Sequence, residues 1–308
     1  MNLKKLNYKW LIKLLGLIIL GFILYSQVSP EKLLTTFKDL NPYYLVLCFL
    51  FLIISSFFNP WRWSYILNQL SIDYPLRKSY KTYYSTMILG LITPGRIGEI
   101  ASRAFILKNK NNRLDKSIVS IVLDKIFDLT LLLLVSCLGY ILILDNFKQK
   151  IIGFSLFFLI IISFFLLKKD FIKNIFKKII TYFFPQKKMS FLNLLNKFSK
   201  ESLLISFLLT CLAWSNIIIA MIFLAKAWQI NGIPIVHFIF AMFVSRLISL
   251  IPISINGLGT REAALLYLFG SFGLISEKII GFSLSITIMN IAYIFFANLI
   301  SFTFKEPK

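Results

Sequence analysis

One histidine, three cysteines and thirteen carboxylates in 308 residues leave little material for metal or nucleophile chemistry. Cys48, Cys137 and Cys211 each sit inside an apolar run without metal-ligand spacing. His237 has no cysteine or carboxylate beside it. No metal and no cofactor is therefore expected. A GxxxxGK[ST] phosphate loop is missing, which argues against ATP-driven pumping. No polar stretch is long enough to fold a nucleic-acid reader, so the net charge of +21 does not point to a nucleic-acid partner.

What is present is grease. The chain is 58% hydrophobic with 32 phenylalanines, and its mean hydropathy is +0.79. A soluble domain of that composition would expose one large apolar patch. The expected class is an all-α polytopic membrane protein, one transmembrane domain over residues 1–308. A spanning helix needs about 20 apolar residues, and six stretches qualify: 10–28, 43–67, 117–144, 151–167, 202–225 and 279–303. Two more apolar stretches, 82–107 and 235–272, are interrupted by proline, glycine and charge. The first run follows Lys4, Lys5, Lys9 and Lys13 and lacks a small-residue cleavage site, so it reads as a retained anchor.

Loop charge sets the orientation. The basic N-terminus goes to the cytoplasm. Loop 29–42, with Glu31, Lys32, Lys38 and Asp39, is neutral and goes outside. Segments 68–81 and 108–116 are both basic and go inside, so 82–107 enters and leaves on one face. Segment 168–200 carries nine lysines against one aspartate and goes inside. Its Lys173, Lys177 and Lys178 alternate with Phe171, Ile175, Phe176, Ile179 and Ile180, the pattern of a basic amphipathic helix on the leaflet. The expected topology is six spans plus two re-entrant helical hairpins, with both termini cytoplasmic in an inner membrane. Two kinked full spans in place of the hairpins would give eight and keep the same tail orientation.

The broken stretches resemble each other. Pro75 to Pro94 is 19 residues and Pro234 to Pro252 is 18. Pro94 is followed by Gly95, Arg96, Gly98 and Glu99; Pro252 is followed by Gly257, Gly259, Arg261 and Glu262. This divides the chain into an anchor (1–42), repeat 1 (43–144), a spanning helix with the basic segment (145–201) and repeat 2 (202–308), the repeats being inverted copies. Interrupted segments at matching places in two halves point to a midplane binding site.

Charge collects at those breaks: Arg96, Glu99 and Arg103 in the first, Arg246, Arg261 and Glu262 in the second, with Asp124, Lys125 and Asp128 nearby. A charge at the bilayer centre costs about 2.5–3.5 kcal/mol, so such groups pair or face water. Glu99 and Arg103 are i,i+4 in the favourable order, and Asp124 and Asp128 share a helix face. Break glycines and half-helix N-termini suit an anion, and arginine forks suit phosphate. One reading is a site for an anionic lipid head group; the other is a salt-bridge network pinning the hairpins.

The stretches GLITPGRIGEIASRAFIL, VLDKIFDL and SLIPISINGLGTREAALL, in that order, resemble the lysylphosphatidylglycerol synthase transmembrane-region family. These flippase-like proteins are related to the membrane half of the multiple peptide resistance factor. By resemblance, Pro94, Gly95, Arg96, Gly98 and Glu99 match one family element, and Gly257, Gly259, Arg261 and Glu262 the other. Where the family has Glu-Arg in the middle motif, this chain has Asp124-Lys125, which keeps the charge signs and drops an arginine fork. The resemblance implies an inner-membrane lipid handler; the chain stops just past the last span, so synthase activity is not expected. The leading expectation is a flippase-like transporter of an anionic or lipid-linked head group through a polar groove. The alternatives are a membrane-embedded transferase using Asp124 and Asp128, or a non-catalytic partner of a separate lipid-modifying enzyme.

Overall fold

Every apolar run that falls on the described residues folds as helix, because a backbone in lipid must satisfy its hydrogen bonds internally. The computed structural model describes residues 8–93, 96–111, 114–143, 146–165, 198–251 and 253–303. Pro94, Gly95, Pro252 and the expected amphipathic segment up to residue 197 lie outside the described residues.

Eleven helices are described: α1 Tyr8–Gln27, α2 Pro30–Lys38, α3 Pro42–Gln69, α4 Leu76–Leu91, α5 Ile97–Asn111, α6 Leu114–Ile143, α7 Phe147–Phe165, α8 Lys200–Ala227, α9 Ile235–Ser249, α10 Thr260–Gly270 and α11 Ser276–Thr303. Among the described residues, α3, α8, α11 and Lys116–Ile143 of α6 are long and apolar enough to cross a membrane. They coincide with four of the six expected spans; the other two fall on α1 and α7. The neutral loop expected at 29–42 is largely helix instead. Pro30 at the first helical position and Glu31 in the first turn start α2, and the chain bends by 94° between the α1 and α2 segments. Phe37 then docks edge-on against Trp228, with ring centroids 4.8 Å apart.

The element order runs twice: long helix, short helix, break, short helix, long helix. Both α3 and α8 are 28 residues long. Both stop on a non-glycine residue in the left-handed region, Ser71 at φ 56 and Gln229 at φ 52. Each stop is closed by the same pair of bonds: Ser71 and Ile72 N–H to the Asn68 and Leu67 carbonyls, Gln229 and Ile230 N–H to those of Lys226 and Ala225. The packing is exchanged between halves. Helix α3 lies along α8, α6 packs on α9, and α11 packs on α4.

Proline shapes the first half. Pro60 inside α3 has no N–H to give the Ser56 carbonyl one turn back. That carbonyl accepts instead from the Tyr84 hydroxyl at 2.8 Å, while the Pro60 carbonyl accepts from Ser79 Oγ at 2.9 Å. The freed backbone thus bonds α3 to α4. Elsewhere aromatic rings fill the core, with Phe238 stacked on Phe269 at 5.8 Å. The outer faces of α3, α8 and α11 expose Val46, Leu208 and Leu299, as expected of helices whose surroundings are as apolar as their core.

Candidate functional site

The two breaks meet. Arg96 closes the first in the left-handed region at φ 55, and Asn256 occupies the second at φ 52. Arg96 Nη2 donates to Asn256 Oδ1 at 3.4 Å. Non-glycine residues in that region store backbone strain and cluster at functional sites.

Two of the break glycines make room for close packing. A Cβ on Gly98 would lie 2.7 Å from the Leu89 carbonyl oxygen, so its absence lets α5 pass against the end of α4. Gly257, at φ +81, clears Ser249 in the same way. The half-helix starts are occupied by the chain itself: Gly98 N–H donates to Thr93 Oγ1 at 2.9 Å, and Gly259 N–H to Glu262 Oε2 at 2.6 Å.

Behind the first break lies a buried, electrically balanced network. Arg62 of α3 uses every guanidinium N–H. Its Nε and Nη2 donate to Asp124 Oδ1 at 2.9 and 2.7 Å, Nη1 and Nη2 to Asp128 at 2.9 and 3.2 Å, and Nη1 to Thr210 Oγ1 at 2.8 Å. Arg103 bonds Glu99 at 2.6 Å and Asp124 at 3.1 Å, and its guanidinium lies over the Trp63 and Tyr83 rings. Lys125 completes the set on Glu99 at 2.7 Å. Three cations meet three carboxylates, and the network ties α3, α5, α6 and α8 together.

In front of it opens a cavity of about 310 Å³, at the small end of ligand sites. Arg96, Arg246, Arg261, Lys125 and Asp128 form its charged wall. Asn59, Tyr293 and Asn290 add polar atoms, and Leu52, Leu132, Ile217 and Met221 an apolar side. Arg261 is held by Glu262 at 3.0 Å and by Ser283 Oγ and its carbonyl, both at 2.8 Å. Among the described residues Arg246 has no hydrogen-bond or ion-pair partner. Network and cavity together hold six cations against four carboxylates. The surplus of two positive charges faces the cavity.

Of the residues expected from sequence, Arg96, Asp128, Arg246 and Arg261 line the cavity. Glu99, Arg103, Asp124 and Glu262 sit behind it, at most 0% exposed, holding the cations in place. Arg62 was not among the expected residues. Its signal was there: it is the single charge in the apolar run 43–67, and an ionisable group inside a span is a site by default. Trp214, whose indole donates to Asp128 at 3.2 Å, carried no such signal. Among the described residues no group of three or more histidine, cysteine, aspartate or glutamate side chains is arranged to hold a metal.

Residues 10–297 match a family model described as the lysylphosphatidylglycerol synthase TM region. No curated protein matches the chain.

Proposed function

The chain belongs to the lysylphosphatidylglycerol synthase TM region family, and from that premise we propose that it is a flippase-like transporter of the inner membrane. It carries an anionic or lipid-linked head group through the cavity between the breaks while the tails stay in the bilayer. The observation that carries this reading is the surplus of positive charge facing that cavity, with Arg246 left without a partner among the described residues. A half-buried cation without a partner inside a membrane bundle is costly, and a bound head group supplies the missing anion.

Two further features support it. Ile100, Leu129 and Leu250 line the cavity and are also 36%, 43% and 38% exposed, so the cavity opens sideways between α5, α6 and α9. Tails can leave by that route. The repeated element order and exchanged packing suit two inverted halves rocking about the cavity. The transferase reading is less well supported. Asp124 and Asp128 accept six hydrogen bonds between them from Arg62, Arg103 and Trp214, so both acid/base candidates are already engaged by fixed donors.

The test is movement. Tail-labelled anionic phospholipid is placed in one leaflet of proteoliposomes and its transfer is read by back-extraction. Wild-type protein speeds transfer over empty vesicles, and Arg246→Gln removes most of the gain. Equal rates for the two proteins would refute this use of the cavity.

A further inference from the structure

We infer that a small monovalent inorganic anion, of the size of chloride, binds between the two breaks, on the far side of Arg96 and Arg246 from the head-group cavity. This rests on the lipid-handling reading above and completes its charge balance.

A second, smaller cavity adjoins the first. It measures about 10 Å³ and is lined by Arg96, Arg246, Ser249, Leu250 and Asn256. Arg96, Arg246 and Leu250 line the larger cavity as well, whereas Ser249 and Asn256 border only the smaller. The two guanidinium groups thus stand between a large space and a small one. A volume of that size admits about one water-sized particle. A phosphate, with four oxygens around its phosphorus, does not fit; a single halide ion does.

The donors around this space are uncommitted. Arg246 has no hydrogen-bond or ion-pair partner among the described residues. Arg96 Nη2 donates to Asn256 Oδ1 at 3.4 Å. That bond turns Asn256 Oδ1 towards Arg96 and leaves Nδ2, the other end of the amide, as a donor. Ser249 adds none, because its hydroxyl donates to the Ser245 carbonyl at 2.7 Å. Two guanidinium groups and one amide therefore border the space, and no described carboxylate does. Water fills such a volume but leaves both guanidinium charges uncompensated.

The charge count asks for a second anion. Network and larger cavity carry two positive charges in surplus. A phosphodiester head group brings one negative charge. One cation stays uncompensated while the head group is bound, and two while it is absent. A small anion behind Arg96 and Arg246 cancels one of them in either state.

The full chain is purified in one detergent with gluconate as the buffer anion. Tryptophan fluorescence melts are run in gluconate, chloride and dimethyl phosphate at equal ionic strength. Dimethyl phosphate has the charge and shape of a head-group diester and is too large for the smaller cavity. Chloride is expected to raise the wild-type Tm by about 2–4 °C over gluconate, and to do so in the presence of dimethyl phosphate too. Arg246→Gln melts no lower than wild type in gluconate and shows no chloride shift. Asn256→Gly keeps a backbone of φ 52 that suits glycine. It loses most of the chloride shift and retains the response to dimethyl phosphate. No chloride shift in wild type, or an equal shift in Asn256→Gly, overturns the small-anion site. A chloride shift abolished by dimethyl phosphate means one shared site in the larger cavity, which overturns it as well and leaves the lipid reading standing. Lipid transfer assayed in gluconate decides that reading separately.

Discussion

Two arginines in one fold should respond in opposite ways to the same substitution. Arg62→Met and Arg246→Met each replace a guanidinium by an apolar chain of similar stem length. At position 62 the change strips five hydrogen bonds from two carboxylates and a threonine, all between 2.7 and 3.2 Å. Asp124 is left with Arg103, and Asp128 with the Trp214 indole. Summing five charged bonds would overcount, because the folded arginine also gave up water. The relevant quantity is the cost of breaking a buried ion pair, about 3–5 kcal/mol. For a chain of this size that lowers Tm by on the order of 10 °C. At position 246 no bond within the described residues is lost and an unpaired, half-buried charge is removed, so Tm holds or rises by a few degrees. Tryptophan fluorescence melts of the purified protein in one detergent measure both. The double variant Arg62→Met/Asp128→Asn, which restores the charge balance, recovers part of the loss. Equal Tm losses in the two single variants would refute the division into a structural network and a ligand-facing cavity.

Other substitutions probe the packing. Gly98→Ala places a methyl 2.7 Å from the Leu89 carbonyl, which should cost about 1–3 kcal/mol by pushing α5 off α4 and also slow lipid transfer. Gly281→Ala drives its Cβ into the Trp228 ring; the melt should show a similar loss, about 1–3 kcal/mol. Ser71→Gly should stabilise by roughly 0.5–1 kcal/mol, since Ser71 sits at φ 56 where glycine is unstrained. A drop in Tm for that variant would mean the end of α3 is held by something other than backbone geometry.

Much of this molecule was legible in its sequence because the relevant signals are local. Hydropathy over twenty residues marks a span, and α3, α8 and α11 fall where the apolar runs lie. The Glu99–Arg103 pair, at 2.6 Å, follows from i,i+4 spacing. The shared face of Asp124 and Asp128 follows from the same spacing. Charge alone marks 29–42 as a neutral loop, yet Pro30 and Glu31 are helix-start signals and residues 30–38 fold as α2. The close approach that Gly98 and Gly257 permit, against Leu89 and Ser249, has no local signal because it depends on how two helices cross.

By itself the sequence determined the membrane class, the helices, the two breaks and the set of charges that must be accommodated in lipid. Only the tertiary structure decided which charges cancel. Arg62 and Asp124 are 62 residues apart and meet at 2.7 Å, while Arg246, with the same side chain, meets no partner among the described residues. Pairing depends on where helix packing places each guanidinium, to within an ångström or two. That is a property of the assembled bundle, and no local pattern of residues encodes it.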